Sequence, residues 1–150
     1  MKNTILILIP LLFLTGCEKE VTSLQDRNGI KYEVNSEVPF TGRLVMDFPN
    51  GQKMLEGNFK NGKLEGLETG WYENGQKESE RNYKDGREDG LRTEWHENGQ
   101  KKFEGHYTKS TGTWWHSDGK KWREKNYKDG DYYEIITWWH VNETGQKRFE

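Results

Sequence analysis

The sequence predicts an all-β protein, an elongated single-layer antiparallel sheet of repeated β-hairpins, on three observations. The first is a recurring turn. An [Asn/Asp/Thr]-Gly-x-Lys tetrad begins at Asn50, Asn74, Asn98, Asp118 and Thr144, at intervals of 24, 24, 20 and 26 residues, and Asn28-Gly29-Ile30-Lys31 reads as a degenerate first copy. The second is another turn signal interleaved with it, at Asn61-Gly62, Asp85-Gly86 and Asp129-Gly130. Asn-Gly and Asp-Gly accept the positive φ that both central residues of a type I′ hairpin turn require. Two turns in each period leave room for two strands of ordinary length. The third is composition: the chain contains no Ala, the best helix former, but 7 Trp, 7 Tyr and 6 Phe. Those aromatics also argue for folding in a chain only 31% hydrophobic, because each can bury roughly 150–250 Å².

The elements follow in order. Lys2 precedes an apolar run from Ile5 to Leu14, interrupted only by Pro10. A bilayer needs roughly 20 residues, so the run has the length of a signal-peptide core. It ends in Leu14-Thr15-Gly16-Cys17, which resembles a bacterial lipobox. The resemblance implies that residues 1–16 are removed and that Cys17 is lipidated as the first mature residue. Glu18 stands where Asp is the usual inner-membrane retention signal, so the expected location is the cell envelope, on the outer membrane facing the periplasm. Cleavage removes Lys2 and takes the net charge from −2 to −3. Residues 17–27 read as a polar tether, and residues 28–150 as a repeat domain of about five hairpins. A single Cys excludes an intramolecular disulfide, a Cys-based zinc site and a CxxC redox pair. The charge balance gives no reason to expect nucleic acid as a partner.

Within the repeats, Leu67, Thr69 and Trp71 correspond to Leu91, Thr93, Trp95, then Thr111, Thr113, Trp115, then Ile135, Thr137, Trp139. Period-two alternation puts each trio on one sheet face, and stacking is expected to bury the Trp row as core. Phe59, Tyr83, Tyr107 and Tyr127 recur in the second strand, each ahead of a turn. The length changes fall in turns. Four residues are missing between Tyr107 and Thr111, and two are added between Trp139 and Gly145.

Segments such as Asn61-Gly62-Lys63-Leu64-Glu65-Gly66, Trp71-Tyr72-Glu73-Asn74-Gly75-Gln76-Lys77 and Asn82-Tyr83-Lys84-Asp85-Gly86 resemble the bacterial variant of the MORN repeat, over roughly residues 28–150. The resemblance implies a twisted antiparallel sheet, no catalytic residues and no cofactor. It also implies a protein-binding role, often that of an antitoxin component of a toxin–antitoxin pair, in a lipoprotein. Asp47 in place of Trp and Thr144 in place of Asn mark the end repeats as departures.

Candidate chemistry reduces to one patch. His96, His116 and His140 share a repeat position, held by Tyr72 in an earlier copy. Equivalent positions lie two strands apart, roughly 9–10 Å, against zinc–nitrogen bonds of roughly 2.0–2.1 Å, so no metal site is expected. Carboxylates such as Glu73, Glu97 and Asp85 sit in or beside turns, where solvated acids do not form acid–base pairs. Trp114-Trp115 and Trp138-Trp139 put Trp on both faces at once, where earlier copies carry Gly70 and Glu94. Trp114, Trp138, His116 and His140 therefore form the candidate partner-binding patch, on the face opposite the expected core. The leading function is a non-catalytic, lipid-anchored repeat protein that binds an unknown protein partner, a toxin in the immunity or antitoxin case, with the membrane engaged through Cys17. The alternative is a binder of envelope glycans or phospholipid head groups, using aromatics and the row Lys53, Lys77, Lys101, Lys121 and Lys147.

Overall fold

A computed structural model describes residues 19–109, 111–127, 134–138, 140–141 and 147–148. The leader, Cys17 and the insertion between Trp139 and Gly145 lie outside these residues, and beyond Asn126 only the backbone is described. Among the described residues every regular element is a strand. They are β1 (Glu20–Val21), β2 (Gln25–Arg27), β3 (Ile30–Tyr32), β4 (Gly42–Asp47), β5 (Lys53–Lys60), β6 (Lys63–Trp71) and β7 (Lys77–Lys84). Then come β8 (Arg87–Trp95), β9 (Lys101–His106), β10 (Thr111–Trp115), β11 (Lys121–Tyr127), β12 (Glu134–Trp138), β13 (His140–Val141) and β14 (Lys147–Arg148). One 10-stranded sheet runs β1-β4-β5-β6-β7-β8-β9-β10-β11-β12, and every pair from β4 to β12 joins sequence neighbours. These pairs are antiparallel, as expected of stacked hairpins. The exception is β1, which pairs in parallel with β4, so the sheet is mixed at that end.

The two turn signals build different turns. Asn28-Gly29, Asn61-Gly62 and Asp85-Gly86 have positive φ at both residues, as type I′ requires. The tetrads do not. Only Gly51, Gly75, Gly99 and Gly119 are left-handed there. The Gly51 amide donates to the Phe48 carbonyl and the Phe48 amide to Gln52, closing a three-residue loop on a type I turn. The Asn50 carboxamide oxygen accepts from the Gln52 amide, and Asn74, Asn98 and Asp118 repeat that bond. The Asx bond selects the three-residue geometry over the two-residue one.

A bulge follows each such loop. Register shifts at Met46/Asp47, Gly70/Trp71, Glu94/Trp95 and Trp114/Trp115 leave one extra residue on the partner strand. Between the bulges the register holds. Val45, Glu56, Thr69, Glu80, Thr93, Glu104, Thr113, Glu124 and Thr137 stand directly opposite one another across nine strands. Thr69 and Thr93 are buried at 8% and 6% exposure. The Trp row beside them departs from the expected core, for Trp71, Trp95 and Trp115 are only half-buried. A lysine reaches over each ring instead: Lys53 at 5.4 Å from Trp71, Lys77 at 5.9 Å from Trp95 and Lys101 at 5.5 Å from Trp115. The same lysines pair with the carboxylate three residues on, Glu56, Glu80 and Glu104. A single-layer sheet has no second layer to cover this face, so alkyl and ammonium groups shield the rings.

The apolar core lies on the opposite face, at the N-terminal end. Phe40 (2% exposed), Leu44 and Phe59 are buried, with Val21, Leu24, Met46, Leu55 and Leu64 packed around them. This corrects two expectations. Residues 20–21 and 25–27, assigned to the tether, form β1 and β2, because Val21 and Leu24 have an apolar surface to cover. The core also shares the face of Trp114 and not that of Trp95, as the pairings below establish. The β2–β3 hairpin and Phe40 close this end: the Lys31 amide donates to the Gly62 carbonyl at 2.8 Å, and the Gly62 amide to Phe40 at 2.7 Å. Gly62 must be glycine there, since a Cβ would strike the Ile30 side chain.

Candidate functional site

Register defines the rows of the second face. One row passes through Met46, Leu55, Gly70, Ser79, Glu94, Phe103, Trp114, Arg123 and Trp138. The next passes through Leu44, Gly57, Glu68, Arg81, Arg92, Gly105, Gly112, Lys125 and Ile136. Directly opposed residues share a face, so this face changes along the sheet from apolar, through charged, to aromatic and cationic. The tyrosine phase follows the same gradient: Phe59 is buried, Tyr83 half-buried and Tyr107 57% exposed.

The charged middle is a partly desolvated network. Arg81 stands between Glu68 and Arg92. Arg92 Nε donates to Glu94 at 2.9 Å, and its guanidinium also faces Glu88 at 3.6 Å. Burial pushes the Glu68 carboxyl above its ordinary value, against the opposing pull of Arg81 and the Tyr83 hydroxyl. Burial also pushes Glu94 up, but its bond to Arg92 and the charges of Arg92, Lys102 and Arg81 outweigh that and leave it lowered. The Tyr83 hydroxyl is raised by burial and by the Glu68 charge.

Two strands further on, the repeat breaks its own pattern. The Arg81–Arg92 pairing of one repeat becomes Gly105–Gly112 in the next, while Ser79–Glu94 becomes Phe103–Trp114. The glycines make room for the Phe103 ring: a Cβ on Gly112 would lie 2.5 Å from Phe103 Cε2, and one on Gly105 2.6 Å from Cζ. Phe103 meets Trp114 with ring centroids 4.8 Å apart and planes tilted 46°. Arg123 caps Trp114 at 4.6 Å and Arg92 approaches Phe103 at 5.9 Å. The result is an open groove of about 830 Å³, floored by these rings and flanked by Lys125, His106 and Tyr107.

The expected patch is thus partly relocated. Trp114 lines the groove. His116 is exposed in the following turn, where its ring faces Trp122 at 6.0 Å. Trp138 holds the register position opposite Arg123, so the arginine separates the two tryptophans. His140 falls in β13, which pairs with β14 outside the large sheet. His96 is occupied otherwise: its Nε2 lies 3.0 Å from the Trp115 carbonyl, as the Tyr72 hydroxyl donates to the Trp95 carbonyl at 2.7 Å. This repeat position ties one loop to the next hairpin, as do Asn50, Asn74 and Asn98, whose carboxamides donate to Glu73, Glu97 and Ser117 carbonyls. Among the described residues no group of three His, Cys, Asp or Glu is placed to hold a metal. Sequence reading missed Phe103, Arg92, Arg123 and the glycine pair. Their signal was present as departures from the repeat at positions facing one another across strands.

Residues 64–85, 88–109 and 111–129 each match the family model described as MORN repeat variant. The β4–β5 hairpin precedes these matches yet has the same loop and the same bulge, so the repeat geometry starts earlier than the matched sequence. No curated protein and no solved structure matches the chain.

Proposed function

We propose, from three tandem matches to the MORN repeat variant, that this chain is a non-catalytic, lipid-anchored repeat module that binds a protein partner in the cell envelope. The groove at Phe103 and Trp114 carries this reading. Aromatic rings set beside arginine, in a depression rimmed by polar groups, are the composition of interface hot spots. The lipobox-like Leu14 to Cys17 supports the anchor, and the immunity or antitoxin role is the form such a partner-binding lipoprotein would take. The lysine row, the basis of the alternative reading, is engaged in place: Lys53, Lys77 and Lys101 each cover a Trp ring and pair with a glutamate. That leaves little cationic surface for phosphate head groups on that face.

The test is in-cell photocrosslinking of the full-length chain with a benzophenone amino acid in place of Tyr107, which is exposed at the groove. One discrete protein adduct is expected, with none from the same group placed at Glu97, in a loop away from the groove. Expression of the captured protein without this chain should arrest growth in the antitoxin case. Adducts with lipid or glycan alone, or none, would reject protein binding.

A further inference from the structure

We infer that the groove over Phe103 and Trp114 docks an extended acidic segment of the partner protein. The inference rests on the protein-binding reading and adds the partner's chemistry. Charge complementarity is the argument. The groove presents Arg92, Arg123 and Lys125 against a single carboxylate, Glu94. That carboxylate is taken up by Arg92 and by Lys102 at 3.6 Å, so the local field is cationic. The whole chain carries −2, which opposes the approach of a long polyanion such as nucleic acid. A short acidic segment instead feels the groove charges, which lie within a Debye length of roughly 8–10 Å. Shape agrees: with glycine at 105 and 112 the second row has no side chains, and the Phe103 ring lies over the gap. An extended backbone can settle on a floor of rings, its carboxylates reaching the cations on either side.

The probes are a fluorescent synthetic peptide of alternating Glu and Tyr, its Lys/Tyr counterpart, and phosphatidylglycerol vesicles, each titrated against the full-length chain in detergent. The acidic peptide should bind, weaken with added salt, and lose about tenfold in affinity on Lys125→Glu. Tyr107→Ala, an exposed truncation that spares the sheet, should also weaken it, with thermal melts confirming that both variants fold. Equal binding of the basic peptide, indifference to Lys125→Glu in a folded variant, or vesicle binding as tight as peptide binding would each overturn the inference. If the Tyr107 crosslink captures a protein while the acidic peptide ignores the groove, the inference fails and the protein-binding reading stands. Loss of both removes both.

Discussion

Trp114 and Arg123 stand directly opposite one another on β10 and β11, with the guanidinium 4.6 Å from the indole centroid. The repeat equivalents of that pair are Gly70 with Ser79, and Glu94 with Phe103. Position by position the backbone ladder is the same, and only the side chains on one face differ. The groove is a local substitution on a repeated scaffold, and its neighbours can be altered without disturbing the ladder.

The glycine pair beneath Phe103 should resist even the smallest side chain. Gly112→Ala places a Cβ 2.5 Å from Phe103 Cε2 and forces the ring away from Trp114. Overpacking of this kind costs roughly 1–3 kcal/mol. The expected result is a lower Tm with a changed near-ultraviolet aromatic signal. An unchanged signal would mean that Phe103 does not need the space.

The lysine over each Trp predicts a measurable coupling. Trp95→Ala should destabilise by less than the roughly 3–5 kcal/mol of a fully buried aromatic, because Trp95 is half-buried. A double-mutant cycle of Lys77→Ala with Trp95→Ala should give a coupling of about 0.5–1 kcal/mol. Strict additivity would reduce the lysines to solvated charges.

Phe40→Ala is expected to be the more damaging truncation. Phe40 is 2% exposed and touches the cluster that closes the N-terminal end. A loss of roughly 3–5 kcal/mol, read by denaturant unfolding, is expected. A loss no larger than that of Trp95→Ala would move the centre of stability back to the Trp row.

Glu68 should make stability fall as pH rises. Burial raises its folded value above the unfolded one, so its contribution is fully present below the unfolded pKa and is lost as pH rises through the folded pKa. Glu68→Gln should therefore raise Tm at neutral pH, with the gain disappearing below the ordinary carboxylate range. A variant less stable than the parent at neutral pH would show that the ionised form, held by Arg81 and Tyr83, is the favoured one.

The anchor is tested through Cys17→Ser. The variant should lose metabolic lipid labelling and leave the membrane fraction. Retention through a salt wash would reject the lipoprotein reading.

The repeat period, the all-β class and the common face of Thr69 and Trp71 were legible in the sequence, because turn chemistry and period-two alternation are local properties of the chain. The apolar end was harder to read. Val21, Leu24, Phe40 and Leu44 lie outside the clear repeats, and their meeting with Phe59 depends on a parallel pairing and a docked hairpin that no periodicity announces. The groove was half legible: Trp114 stood out as a doubled Trp, while Phe103, Arg92 and Arg123 looked ordinary along the chain. Their significance arises only where strands pair, since register alone sets Phe103 opposite Trp114 and Trp114 opposite Arg123. Sequence by itself determined the strands, the turn positions and the alternation of faces. Only tertiary structure decided which face received the core and which side chains met across the ladder, because burial and cross-strand contact are set by residues distant in sequence.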